Sequence, residues 1–139
     1  MFETVTRCLP LIDGEKAGKW GPDLVTDKNG KETPVMPFVI YSSGIRELEE
    51  AVFTYVDEHP EYRSYDDILN ESNIGWGIGS MSEVDVSRLD GKTVFALIVA
   101  AYRAERFCDG ALLQFAESGC LKRCLCRLKE IDEQKESEK

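Results

Sequence analysis

An apolar run ending at Tyr102 leads directly into Arg103-Ala104-Glu105-Arg106-Phe107-Cys108-Asp109-Gly110. Two guanidinium groups (Arg103, Arg106) and two carboxylates (Glu105, Asp109) thus crowd the end of a segment with helical periodicity. On a helix over residues 92–107, turning about 100° per residue, Glu105, Arg106 and Asp109 project into the apolar arc. An unpaired buried charge costs several kcal/mol or more, so these groups are expected to be partnered. Two kinds of chemistry fit. In the first, Arg106 forks onto a carboxylate, Glu105 reaches Arg103 or a neighbouring helix, and Asp109 caps the helix that begins at Gly110, so the set holds the core together. In the second, the four groups line a pocket at a helix junction and bind a small anion or exchange protons. Trp76, in the loop Gly75-Trp76-Gly77-Ile78-Gly79, is expected to pack over them. The candidate binding residues are therefore Arg103, Glu105, Arg106, Asp109 and Trp76, and no catalytic set is assigned.

Other chemistry is poorly supported. The Gly75–Gly79 loop follows no strand and has no lysine close behind, so it does not make a phosphate cradle. Cys108, Cys120, Cys124 and Cys126 lack the C-x2-C spacing of a zinc site. Three of them lie on one helix, where Cys126 points away from Cys120 and Cys124, so no metal is expected. Cys124 falls on an apolar stripe and is expected to pack. Cys120, in a first helical turn beside Lys122 and Arg123, is the thiol that could be activated. His59 is the single histidine and stands at a helix end before Pro60, so a histidine-dependent triad would require it to fold back onto Cys120. No dinucleotide, P-loop, zinc-protease or EF-hand motif is present, and no cofactor is expected.

The elements that must position these groups are mostly helices. Residues 1–13 carry a weak apolar helical pattern that Pro10 ends or restarts. Residues 23–41 read as a β-hairpin with Asn29-Gly30 at a type I′ turn, its second arm limited by Pro34 and Pro37 to an edge strand or an extended segment pinned against helices. Ser42 caps a one-faced helix through Ile45, Leu48, Val52, Tyr55 and Val56, which Pro60 stops. A short helix over 62–70 follows, then a loop over 73–80, then a short helix opened by Ser82 and ended at Asp90-Gly91. The helix over 92–107 is central, with Ala96, Ala100 and Ala104 as a seam for close approach. Helices over 111–118 and 120–133 complete a domain of residues 1–133, and 134–139 form a solvated tail.

The segment 93–128, with R-A-E-R-F-C-D-G, A-L-L-Q-F-A-E-S-G and L-x-x-x-L-x-R-L in order, resembles the signature block of a family of small bacterial, archaeal and phage-borne proteins known only as a domain of unknown function. The resemblance implies a compact, mostly helical single domain and brings no activity, substrate or cofactor.

Composition narrows the partners. With 139 residues the chain suits one domain. Seventeen Lys and Arg against 26 Asp and Glu give −9, which argues against nucleic acid and anionic membranes as partners. The charge is uneven: residues 42–72 carry −7 and residues 103–129 carry +3. A protein partner or a homo-oligomer is consistent with that division. No signal-like segment opens the chain, and the five cysteines are odd in number, so a cytoplasmic acidic protein with reduced thiols is expected. The fold expected is mainly α, a compact single-domain helical fold with one small β-hairpin. The favoured function is a non-enzymatic interaction or accessory module, because no complete catalytic constellation assembles. The alternative is a small-molecule anion-binding or acid/base enzyme using the Arg/Glu/Asp cluster. Exposure of the Arg106 guanidinium separates the two.

Overall fold

The computed structural model describes residues 2–14, 17–21, 24–26, 28–34, 39–75 and 77–137. The chain opens with α1 (Glu3–Thr6) and α2 (Leu9–Gly14), where Pro10 sits in the first turn, the one place its missing amide hydrogen costs nothing. Two antiparallel ladders follow, nested in sequence. β2 (Leu24–Thr26) pairs with β3 (Glu32–Pro34), and β1 (Gly18–Trp20) pairs with β4 (Val39–Tyr41) outside them. Thr26 faces Glu32, so residues 27–31 connect the inner strands in place of a two-residue Asn-Gly turn. Among the described residues of that longer loop, Gly30 takes the left-handed conformation, φ +77°, where no Cβ opposes it.

α3 (Ser43–Glu58) starts at the expected cap, the Ser42 hydroxyl accepting from Ile45 N at 3.3 Å. A 3-10 turn (Pro60–Ser64) leads into α4 (Tyr65–Glu71), and α5 (Ile78–Ser82) replaces the end of the expected 73–80 loop. Ser82 consequently closes α5 instead of opening a helix. The following 3-10 turn, Val86–Arg88, is capped by Asp85, whose carboxylate accepts from Ser87 N at 3.1 Å.

α6 (Gly91–Ala104) is the centre of the domain, with every residue of 93–102 buried. Its start is capped by Asp90, which accepts from Thr93 N at 2.8 Å; the residue expected to end one helix begins the next. α3, α4, α7 (Ala111–Glu117) and α8 (Cys120–Ser137) pack around it. The Tyr102 hydroxyl donates to Ile45 O at 2.8 Å, joining α6 to α3. Phe95 lies 5.7 Å from Phe2, 4.7 Å from Tyr55 and 4.6 Å from Tyr62 between ring centroids, an aromatic cluster that closes the N-terminal side of the core. Phe2 is buried, its ring lying where a Cβ on Gly91 would approach within 2.8 Å, and its amide donates to the buried Asp132 of α8 at 2.7 Å. On α8 the stripe Leu121, Cys124, Leu125 and Leu128 is buried as its spacing predicts. The helical backbone runs on to Ser137, beyond residue 134 where the tail is expected to start. The result is a mainly helical single compact domain. Among the described residues no helix is long and apolar enough to cross a membrane.

Candidate functional site

α6 ends at Ala104, three residues before its expected limit, so the arc projected through residue 107 does not hold for the charged groups. The reason lies in the carboxylate of Glu105. It accepts from Gly110 N at 3.0 and 3.1 Å and from Leu112 N at 3.0 Å, which requires the chain to fold back after Ala104. Tyr41 on β4 donates to the same carboxylate at 2.5 Å and accepts from Leu113 N at 3.1 Å. Ala111 N finds Cys108 O at 3.1 Å, and Gln114 N reaches Gly110 O at 2.9 Å as the regular ladder begins. Every amide at the start of α7 is thus satisfied from within the protein. Burial and the adjoining Glu105 carboxylate push the Tyr41 phenol well above its ordinary range, so it remains a donor.

The cap on α7 therefore comes from Glu105 and Tyr41, and the Asp109 side chain has no part in it. Arg103 lies with its guanidinium 4.7 Å from the centroid of Phe53 on α3, a cation–π contact instead of an ion pair. Arg106 and Asp109 are exposed. The expected network among the four charges is not what the turn shows: Glu105 binds amides and a phenol, Arg103 binds a ring, and the other two face solvent. Trp76 lies outside the described residues.

Around this turn is a cleft of about 710 Å³, walled by Trp20 of β1, Gly77, the 104–110 turn and α7. Phe107, 77% exposed, and Trp20, 51% exposed, contribute its aromatic surface, with Leu113 behind. Asp109, Gln114 and Glu117 supply polar groups. Gly110 has φ +91°, and a Cβ there would come within 2.5 Å of Trp20 Cζ2. Glycine is thus required twice, for the left-handed backbone and for the indole lying across it. The β1–β4 ladder fixes this arrangement, because Gly18 pairs with Tyr41 and Trp20 with Val39. One end of the ladder is bonded to Glu105 through Tyr41 while the other lays Trp20 over Gly110.

Of the remaining reactive groups, one lies at the cleft and the others lie elsewhere. Cys108 lines the cleft, Cys126 is half-buried, and Cys8, Cys120 and Cys124 are buried as free thiols. The hydrogen bond from Cys124 and the neighbouring Arg123 lower the Cys120 thiol, while the same contact and burial raise Cys124 well above the usual thiol range. Cys120 is nonetheless fully buried, its sulfur 3.5 Å from Met81 O, so the activated thiol anticipated from its helix position faces protein, not solvent. His59 stacks on Tyr55 at 4.0 Å with Nδ1 3.1 Å from Tyr55 O, engaged with its own helix end. Among the described residues no group of three or more His, Cys, Asp or Glu gathers as a metal site.

Sequence reasoning singled out Glu105 and offered Arg103 or a neighbouring helix as its partner, of which the helix, α7, is the one it meets; it passed over Trp20, Tyr41 and Phe107 as site residues. A tryptophan in the short, apolar-poor stretch Gly18-Lys19-Trp20-Gly21 was the available signal for the first. Nothing local marks Tyr41, whose partner Glu105 is 64 positions away. Residues 14–134 match the profile of a family described as "Family of unknown function (DUF6508)". Comparison with curated proteins and with solved structures gives no match.

Proposed function

Because the chain belongs to the DUF6508 family, whose description carries no activity, we propose a role from the cleft itself: a non-enzymatic interaction module that holds a protein partner between β1 and α7. The observation that carries this reading is the pair of large aromatic side chains, Phe107 at 77% and Trp20 at 51% exposure, displayed at one cleft. Their backbone is held by hydrogen bonds, so the aromatic surface is presented ready-made at little ordering cost on binding. Exposed aromatics clustered in a concavity are the side chains that dominate recognition energetics.

The alternative, anion binding or acid/base catalysis, has less support. The amides of α7 that would receive an anion are already filled by Glu105 and Tyr41. Arg103 is committed to Phe53, and the described lining of the cleft contains acids without a basic residue.

Selection of a displayed random-peptide library on the immobilised protein tests the proposal. Recovered peptides are expected to lose about tenfold or more in affinity, equivalent to ~1.4 kcal/mol, towards Phe107→Ala and Trp20→Ala. The Phe107→Ala variant should also unfold within about 0.5 kcal/mol of the parent, as surface changes do. Binders indifferent to both substitutions, or no enrichment at all, would overturn it.

A further inference from the structure

The chemistry of the cleft narrows what it can hold. Its described lining includes the carboxylates of Asp109 and Glu117, one just before α7 and one at its last residue, and no Lys, Arg or His. Both acids are exposed, and among the described residues neither has an ion-pair partner. The Trp20 and Phe107 rings lie along the same concavity, and aromatic faces attract cations. This protein already uses that chemistry once, in the guanidinium of Arg103 held over Phe53. The helix that forms the wall does not work against this bias. The positive end of α7 is neutralised by Glu105, so it does not repel a cation, and its carbonyl end is already served by one from this chain. Arg123 already donates to Ser118 O there at 3.3 Å, and to Ser82 O at 3.2 Å.

We propose that the cleft between β1 and α7 recognises an extended segment of a partner protein carrying an arginine or lysine beside an apolar residue. The apolar side chain packs against Leu113 and the aromatic rings. The cation stacks on Trp20 or Phe107 and pairs with Asp109 or Glu117. This rests on the interaction-module reading and adds the charge and character of what is bound. A volume of about 710 Å³ suits a few side chains, not a whole folded face.

The test compares two probes on the full chain by NMR: acetyl-Leu-Arg-Leu-amide, and the same peptide with citrulline, which keeps the shape of arginine without its charge. The arginine peptide is expected to shift the amides of Gly110, Leu113 and Ser118 and the Trp20 indole. It should bind about fivefold more tightly than the citrulline peptide, the scale of two exposed charge contacts and a cation–π contact. The advantage should shrink as salt is added. The double variant Asp109→Asn, Glu117→Gln should erase the difference while leaving citrulline-peptide binding as it was. Equal binding of the two probes at the cleft would overturn the charge selection and leave the interaction-module reading standing. No shift from either probe would count against both. Shifts of the same amides with protein concentration alone would place a second copy of this chain in the cleft and overturn a foreign partner.

Discussion

The body of α6 and the turn that follows it are consecutive in the chain and treat apolar side chains in opposite ways. From residue 93 to 102 every side chain is buried, and Phe95, Leu97 and Ile98 have no exposure at all; Phe107, soon after the helix ends, is 77% exposed. What separates them is the source of their order. α6 is held by the packing of its neighbours, so its residues are interchangeable only at the cost of cavities. The turn is held by the amides of residues 110, 112 and 113, which donate to the Glu105 carboxylate and the Tyr41 hydroxyl, so its order does not depend on burying Phe107. Exposed side chains can vary there without disturbing the core.

The largest effect should come from the packed region. Ile98→Ala is expected to cost about 2–5 kcal/mol in urea denaturation, because α6 is enclosed by α3, α4, α7 and α8; a loss under about 0.5 kcal/mol would make α6 a surface helix and erase the contrast. Next comes Glu105→Ala, which strands two amides and the Tyr41 phenol and should cost about 1–3 kcal/mol. Glu105→Gln keeps an acceptor oxygen and should recover part of that loss. An equally large loss for both would mean that the charge, not the acceptor geometry, orders the turn.

The smallest effect concerns Asp90, the local cap of α6, against which the remote cap of α7 can be gauged. Hydrogen bonds from the hydroxyl and amide of Thr93 hold the Asp90 carboxyl below its ordinary value. A depressed folded value means stabilisation that is fully present above the unfolded value of about 3.9 and disappears as pH falls through the folded one. Asp90→Asn should therefore flatten the acid limb of a stability–pH curve while changing stability little at neutral pH. An unchanged acid limb would show that this carboxylate contributes nothing to acid sensitivity.

Local grammar made much of the fold legible. The Ser42 cap, the one-faced stripe of α3, the apolar run of α6 and the buried stripe of α8 all follow from spacing within a few turns of helix. The boundaries were less legible where capping residues compete. Ser82 and Asp85 both suit a helix start, and the carboxylate that actually caps belongs to Asp85, with α5 placed upstream. The end of α6 was misjudged for a different reason. Projecting residues 92–107 as one helix treats Glu105 as a passenger, whereas its bonds forward to Gly110 and Leu112 terminate the helix. The cleft was the least legible part, since Trp20 meets Gly110 and Tyr41 meets Glu105 across long stretches of sequence, on the paired strands β1 and β4. The consequence for Arg106 is concrete: exposed beyond the helix end, it belongs with surface residues, not with a buried pair.

The hydrogen bond from Phe2 N to Asp132, spanning 130 positions, sets an order of events during synthesis. The pocket that receives the Phe2 ring needs Gly91, Phe95 and Tyr55, and the carboxylate that anchors its backbone sits far along α8. A ribosome delivers the chain from its first residues onward at about 5–20 residues per second. For the several seconds that this rate implies, α1 has emerged and its anchor has not, so an apolar phenylalanine waits without a berth. Sealing the N-terminal side of the core therefore waits on residue 132, and closing so long a stretch of chain carries the entropy of a large loop.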